Sequence, residues 1–135
     1  MKISTTRKTL EIAGSKIDIA RNEDGVVTLW ADDDVALARG LGFAHANDRL
    51  GQMMLVRLVG QGRLCECLVN DDETLAIDIF MREMGLRRDA EADVANLGAA
   101  GRSLGDAYAE GVNHYLERHR RPLEFALVKY RPEPW

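Results

Sequence analysis

Cysteine and proline are the rarest structure-setting residues in this 135-residue chain, with two and three copies, and aromatic residues make up only 6%. The cysteines, Cys65 and Cys67, form an isolated C-x-C. A zinc centre needs about four ligands, and the three histidines, His45, His114 and His119, have no spacing that completes such a set. The pair reads as two reduced thiols, so no metal and no cofactor is assigned. No long apolar run occurs, so no membrane-spanning helix is expected. A concentrated basic surface is missing too. The net charge is −4, and the single basic cluster, Arg118-His119-Arg120-Arg121, reads as the solvated end of a helix. Nucleic acid is therefore not an expected partner. Behind Met1-Lys2-Ile3-Ser4-Thr5-Thr6-Arg7-Lys8 there is no apolar segment of the kind a secretory signal requires. As written, the chain is expected in the cytoplasm unless a leader has been removed.

What is present is an ordinary globular balance, 46% hydrophobic and 30% charged. At this length one domain is expected over 1–135, burying roughly 70% of the surface of the unfolded chain. The fold class is α+β: an antiparallel meander over 7–31, a helical region over 32–121 with three to four helices, and an extended tail over 122–135. Leu10 and Ile12 alternate with polar residues, Gly14-Ser15 offers a turn, and Ile17 and Ile19 alternate again. Asn22-Glu23-Asp24-Gly25 supplies a second turn before Val26–Trp30, because glycine accepts positive φ without a Cβ clash. Asp32-Asp33-Asp34 provides helix caps, predicting a helix over 34–58 that bends at Gly40 or Gly42 and ends at Gly60 and Gly62. Residues 63–74 read as a loop or irregular strand. Helices are expected at 74–84, 88–97 and 103–118, the last two separated by Gly98-Ala99-Ala100-Gly101.

The 103–118 helix has one apolar stripe, Leu104, Ala107, Tyr108, Gly111, Val112 and Tyr115, as a surface helix should. The 34–58 helix has two. Leu37, Leu41, Ala44, Leu55 and Val56 share one face, and Phe43, Leu50 and Met54 lie roughly opposite. A helix apolar on two sides must be covered on two sides, which a second polypeptide or a continuation of this one does more naturally than so small a domain. His45, Asp48 and Gln52 fall within the first face. A His–Asp acid/base pair is one reading. A hydrogen-bonded ladder that fixes helix docking is the stronger one, because a nucleophile is missing.

Several ordered motifs resemble one family. Ile19-Ala20-Arg21-Asn22-Glu23-Asp24-Gly25-Val26 is similar to its opening I-x-R-D-x-x-G-V-P hairpin, and Gly40–Met53 resembles its G-x-G-Y-x-H-A-Q-D-R-L-x-Q-M helix. Gly62-Arg63-Leu64-Cys65-Glu66 looks like G-R-L-A-E, and Ala107–Asn113 looks like A-Y-A-x-G-V-N. Glu124-Phe125 and Pro132-Glu133-Pro134-Trp135 resemble P-x-E-F … P-E-P-W. The family is that of penicillin, cephalosporin and acyl-homoserine-lactone acylases, and the resemblance covers nearly everything from Ile17 onward. Three departures stand out: Asn22 for the usual Asp, Val27 for the usual Pro, and Arg57-Leu58 for a basic pair.

The resemblance implies the front part of the α subunit of an autoprocessed, often periplasmic N-terminal-nucleophile hydrolase with an αββα core. In that family the β subunit begins with a serine whose own α-amine is the base, and an oxyanion hole completes the acyl-transfer site. The residues gating the acyl pocket, and an α-chain calcium ligand, follow the P-E-P-W segment in the family, so neither is carried over. Ser4 lies too near the start to be that serine, Ser15 sits in a predicted turn and Ser103 near a predicted helix start. No catalytic residue is therefore assigned here. The expected role is structural support for a β subunit or C-terminal continuation of the same precursor, with self-association when isolated. The alternative is a truncated, non-enzymatic relative acting as a stand-alone binding module.

Overall fold

The computed structural model describes residues 7–119, 123–128 and 130–135. Ser4, Arg120, Arg121 and Pro122, which entered the sequence reading, lie outside them. The described chain runs β1 (Lys8–Ile12), β2 (Ser15–Arg21), β3 (Val27–Trp30), α1 (Asp34–Gln61), α2 (Leu64–Cys67), α3 (Asp72–Met84), α4 (Leu86–Asn96), α5 (Ala99–Arg118) and α6 (Leu123–Leu127). Sheet and helices together make the α+β class. None of these helices is long and apolar enough to cross a membrane.

The chain forms two compact units. The first comprises 1–48, 99–119 and 134–135; the second comprises 49–98 and 120–133. In the first, the strands form an antiparallel sheet in the order β1-β2-β3. The β1–β2 turn has two residues, Ala13 (φ 48°) and Gly14 (φ 79°). Two successive positive φ values match the right-handed twist of the flanking strands. At the second turn Asn22 Oδ1 accepts from Val26 N–H at 2.8 Å, and Gly25 takes φ 82°. Asn22 thus supplies a carbonyl oxygen where the family's usual Asp would supply a carboxylate. Ile12, Ile17, Ala36 and Phe43 are buried together, with Leu10, Ile19, Leu29, Ala31 and Tyr115 packed around them. Each fully buried aliphatic side chain contributes about 1.5–3 kcal/mol relative to exposure.

Helix α1 starts where the aspartates predict, with Asp33 Oδ1 accepting from Ala36 N–H at 2.7 Å. It ends at Gln61, before Gly62 at φ 61°. Its break is not at Gly40 or Gly42 but at Arg49, where φ −139° and ψ 18° leave the helical region. The two glycines serve close packing instead. A Cβ on Gly40 would press on the Ile17 side chain, and one on Gly42 would fall on the Tyr108 carbonyl oxygen of α5. Gly111 does the same in return, against the Arg39 carbonyl oxygen.

Three further expectations change. Residues 64–67 are a short helix rather than a loop or strand, because Asp78 receives its first amides. Helix α5 begins at Ala99, so Gly101 and Ser103 lie within it and Ser103 caps nothing. Leu123–Leu127 is helical where an extended tail is expected; its end is closed by Tyr130 N–H donating to Phe125 O at 3.0 Å.

Candidate functional site

The motif residues are brought together in pairs. In the first unit, His45 Nδ1 lies 3.0 Å from the Tyr108 hydroxyl, joining the α1 motif to the α5 motif. Burial pushes the Tyr108 phenol above its usual value, so it stays a neutral hydroxyl. Asn113 Nδ2 donates to Trp135 O at 3.0 Å, and its Oδ1 accepts from Trp135 N–H at 2.8 Å. One amide side chain thereby satisfies both backbone groups of Trp135, as a neighbouring strand would. Arg21 donates to Gly25 O and pairs with Asp48, tying the hairpin to α1. Arg39 donates to Ser15 Oγ at 2.8 Å and pairs with Glu110.

The second unit has its own pair of clasps. Arg63 reaches both carboxylate oxygens of Glu133 at 3.0 and 3.1 Å, and Glu66 at 2.8 Å. A planar guanidinium fork matches a carboxylate bidentately, which fixes direction as well as charge. Hydrogen bonds from Arg63 hold the carboxyls of Glu66 and Glu133 below their usual value, and those bonds raise the Arg63 guanidinium's own. Arg57 donates to Glu133 O at 3.0 Å, so the single arginine left from the family's basic pair has a defined partner. Asp78, 3% exposed, is the second anchor. Its carboxylate accepts from Leu64 N–H at 2.9 Å and Cys65 N–H at 2.8 Å. Arg82 Nε donates to Gly62 O at 2.8 Å beside it.

Set against expectation, His45, Asp48 and Gln52 are all exposed, and each has a different partner. His45 meets Tyr108, Asp48 meets Arg21, and Gln52 Oε1 accepts from Arg49 at 3.3 Å. His45 and Asp48 turn to different partners and so form no couple, and all three are exposed rather than a buried ladder, with the helix breaking at Arg49 between Asp48 and Gln52. Ser15 accepts from Arg39 and Ser103 is exposed on α5. Neither described serine has a base beside it in these contacts. Cys65 donates to Asn70 Oδ1 at 3.4 Å, and burial pushes the Cys67 thiol up, away from the reactive thiolate. Among the described residues no group of three His, Cys, Asp or Glu side chains could hold a metal ion.

Asp78, Asn113 and the Arg63–Glu133 fork escape a reading by spacing. The one available signal was Asp78 itself, a lone acid inside the apolar run Leu75-Ala76-Ile77-Asp78-Ile79-Phe80. Asn113 and the fork join residues 22 and 70 apart.

The penicillin amidase family profile matches residues 16–135. The chain belongs to the penicillin amidase family. It is 44% identical over 121 residues to the acyl-homoserine lactone acylase QuiP of Pseudomonas aeruginosa, covering 88% of this chain and 14% of that protein. It is 35% identical over 130 residues to the penicillin acylase 2 proenzyme of Pseudomonas sp. strain SE83, covering 94% and 16%. Its fold matches a thermostable penicillin G acylase from Alcaligenes faecalis with a TM-score of 0.80 at 29% identity, over 90% of this chain and 66% of that one. The chain thus spans about one seventh of the curated relatives it matches.

The motif residues clasp one another within each unit, tying the hairpin to α1 and α1 to α5 in the first and Arg63 to Glu133 in the second.

Proposed function

We propose that this chain is the front part of the α subunit of an N-terminal-nucleophile amide hydrolase. Its work is to support a catalytic β subunit supplied by a further polypeptide of the same precursor. The observation that carries this is the disparity of lengths: nearly all of this chain matches only 14–16% of the curated relatives, one of them named as a proenzyme. The solved neighbour points the same way. Nine-tenths of 135 residues matching 66% of that chain puts it at roughly 180 residues, whereas 121 residues at 14% puts the curated relative at roughly 860. A short chain in one and a long one in the other fits a precursor cut into unequal subunits.

The reaction on this reading is acyl transfer: serine attack on an amide carbonyl, an acyl-enzyme, then hydrolysis by water. Ser15 and Ser103, engaged or isolated as described, leave the nucleophile to the other subunit.

The test is purification from the source under native conditions, with N-terminal sequencing of every chain recovered. The expected result is a much larger chain beginning with serine, in a complex that hydrolyses phenylacetyl or long-chain acyl amides. The 135-residue chain by itself should be inactive. Turnover by the isolated chain would overturn the proposal, and its recovery without a larger chain would favour the stand-alone binding module.

A further inference from the structure

Helix α3 turns the stripe Leu75, Asp78, Ile79 and Arg82, spaced i, i+3, i+4 and i+7, toward α2. Two members of the stripe are fastened. Asp78 accepts from the Leu64 and Cys65 amides, and Arg82 Nε donates to Gly62 O at 2.8 Å. The other two are not covered, because α2 has only four residues, and Leu75 and Ile79 stay 46% and 50% exposed. Beside them lies a cleft of about 440 Å³, lined also by Cys65, Glu66 and Asn70. Small-molecule sites run from about 300 to 1,000 Å³ and combine apolar walls with a few polar groups.

The polar groups of this cleft differ in what they have left to offer. Both Asp78 oxygens are taken, Glu66 is held by Arg63 at 2.8 Å, and the Cys65 thiol donates to Asn70 Oδ1 at 3.4 Å. Arg82 is engaged only through Nε, and its two Nη groups have no partner among the described residues. Its stem is pinned as well. A Cβ on Gly62 would fall 2.7 Å from Arg82 Cγ, so the stem lies against the bare glycine. The guanidinium is thus placed before any ligand arrives, which lowers the entropic cost of binding.

We propose that the α2–α3 cleft binds a small monocarboxylate with a short alkyl tail, its carboxylate forked by the Arg82 Nη groups and its tail along Leu75 and Ile79. The inference does not depend on the proposed function. Parallel guanidinium N–H donors match a carboxylate bidentately, which makes this anion the natural complement of a free Nη pair. The carboxylates of Glu66 and Asp78 in the same wall oppose a dianion such as phosphate. Leu75 and Ile79 stand about one helical turn apart, roughly 5–6 Å, so a tail of a few carbons lies across both.

Photoaffinity labelling tests this in the protein as purified, in whatever assembly it is recovered. The probe is hexanoate carrying a diazirine on its tail, and the labelled peptides are mapped by mass spectrometry. Label is expected on α2 and on the Leu75–Ile79 turn of α3, displaced by hexanoate and at least tenfold less well by hexanol, acetate or inorganic phosphate. Arg82→Gln should weaken labelling at least tenfold. Ile79→Gln replaces an exposed side chain, so it keeps the test open where Arg82→Gln fails to fold, and it should weaken labelling by a similar factor. Hexanol competing as well as hexanoate would overturn the proposal by removing the role of Arg82. Phosphate competing equally, or Ile79→Gln leaving the label unchanged, would overturn the ligand class. No label in the cleft at millimolar probe, as when a polypeptide segment fills it in the assembled protein, would overturn the site itself.

Discussion

The two compact units of this chain are built from similar helices but finished to different degrees. The first closes a core of its own: Ile12, Ile17, Phe43 and Val112 are buried, and α1 crosses α5 at Gly42 and Gly111 with backbone nearly touching backbone. The second spends its best-made contacts on polar anchors. Asp78 caps α2 from a distance, and Arg63 grips Glu133, while α4 buries no residue at all and α3 buries only an acid. Hydrogen bonds and ion pairs fix geometry, but net stabilisation comes mainly from apolar burial. The second unit buries Leu50, Met54, Leu58 and Phe125, but its α3 and α4 bury no apolar side chain, and that part of it is prepared for covering.

Four changes would break or sharpen that contrast. The largest effect belongs to Gly111→Ala. Alanine gains about 1 kcal/mol of helix propensity, but its Cβ meets the Arg39 carbonyl and forces two helices apart, for a net loss of about 3 kcal/mol. Hydrogen exchange across α5 should accelerate more than a hundredfold, while α3 and α4 keep their rates. Next comes Asp78→Ala, which strips two buried amides of a charged acceptor at a cost of about 2 kcal/mol. Exchange at Leu64 and Cys65 should rise some thirtyfold, with no change in the sheet.

Acid should separate the units more gently. Burial, then Arg118, holds His114 below its ordinary value of 6.5, so the unfolded chain binds its proton first. The His114 contribution is present above pH 6.5 and is lost as pH falls from there toward its folded value. In the second unit Glu66 and Glu133 are held below 4.5 by Arg63. Their contribution persists to lower pH, disappearing as pH drops through their folded values. Exchange profiles between pH 7 and 3 should therefore show α5 loosening before the Arg63 clasp, and the reverse order would contradict this assignment. The smallest change is a gain. Ala13 sits at φ 48°, where alanine is strained, and Ala13→Asn creates the Asn-Gly pair this turn prefers. About 0.5 kcal/mol of added stability, confined to the hairpin, should appear in its exchange rates.

The first unit was largely legible in the sequence, because its information is local. Alternation placed the strands, Asp33 placed the start of α1, and Gly25 and Asn22 placed a turn. The 34–58 segment was legible in composition but not in shape. Phe43, Leu50 and Met54 are buried; of the other predicted face Ala44 is buried and Leu37 half-buried while Leu41, Leu55 and Val56 are exposed, so that face is only partly covered. A single wheel could not show that, because the break at Arg49 resets the phase between Phe43 and Leu50. The clasps were illegible for another reason. Asn113 with Trp135 and Arg63 with Glu133 are long-range pairings, and nothing in the spacing of either partner announces the other. The short helices α2 and α6 owe their existence to similar non-local or closing contacts, Asp78 for one and Tyr130 for the other.

Sedimentation velocity of the purified 15.1 kDa chain tests the unfinished character of the second unit most directly. Stripes at Phe80, Met84, Val56 and Leu127 left open to water predict concentration-dependent association well above that mass. A sharp single boundary at 15.1 kDa, holding to high micromolar concentration, would contradict it.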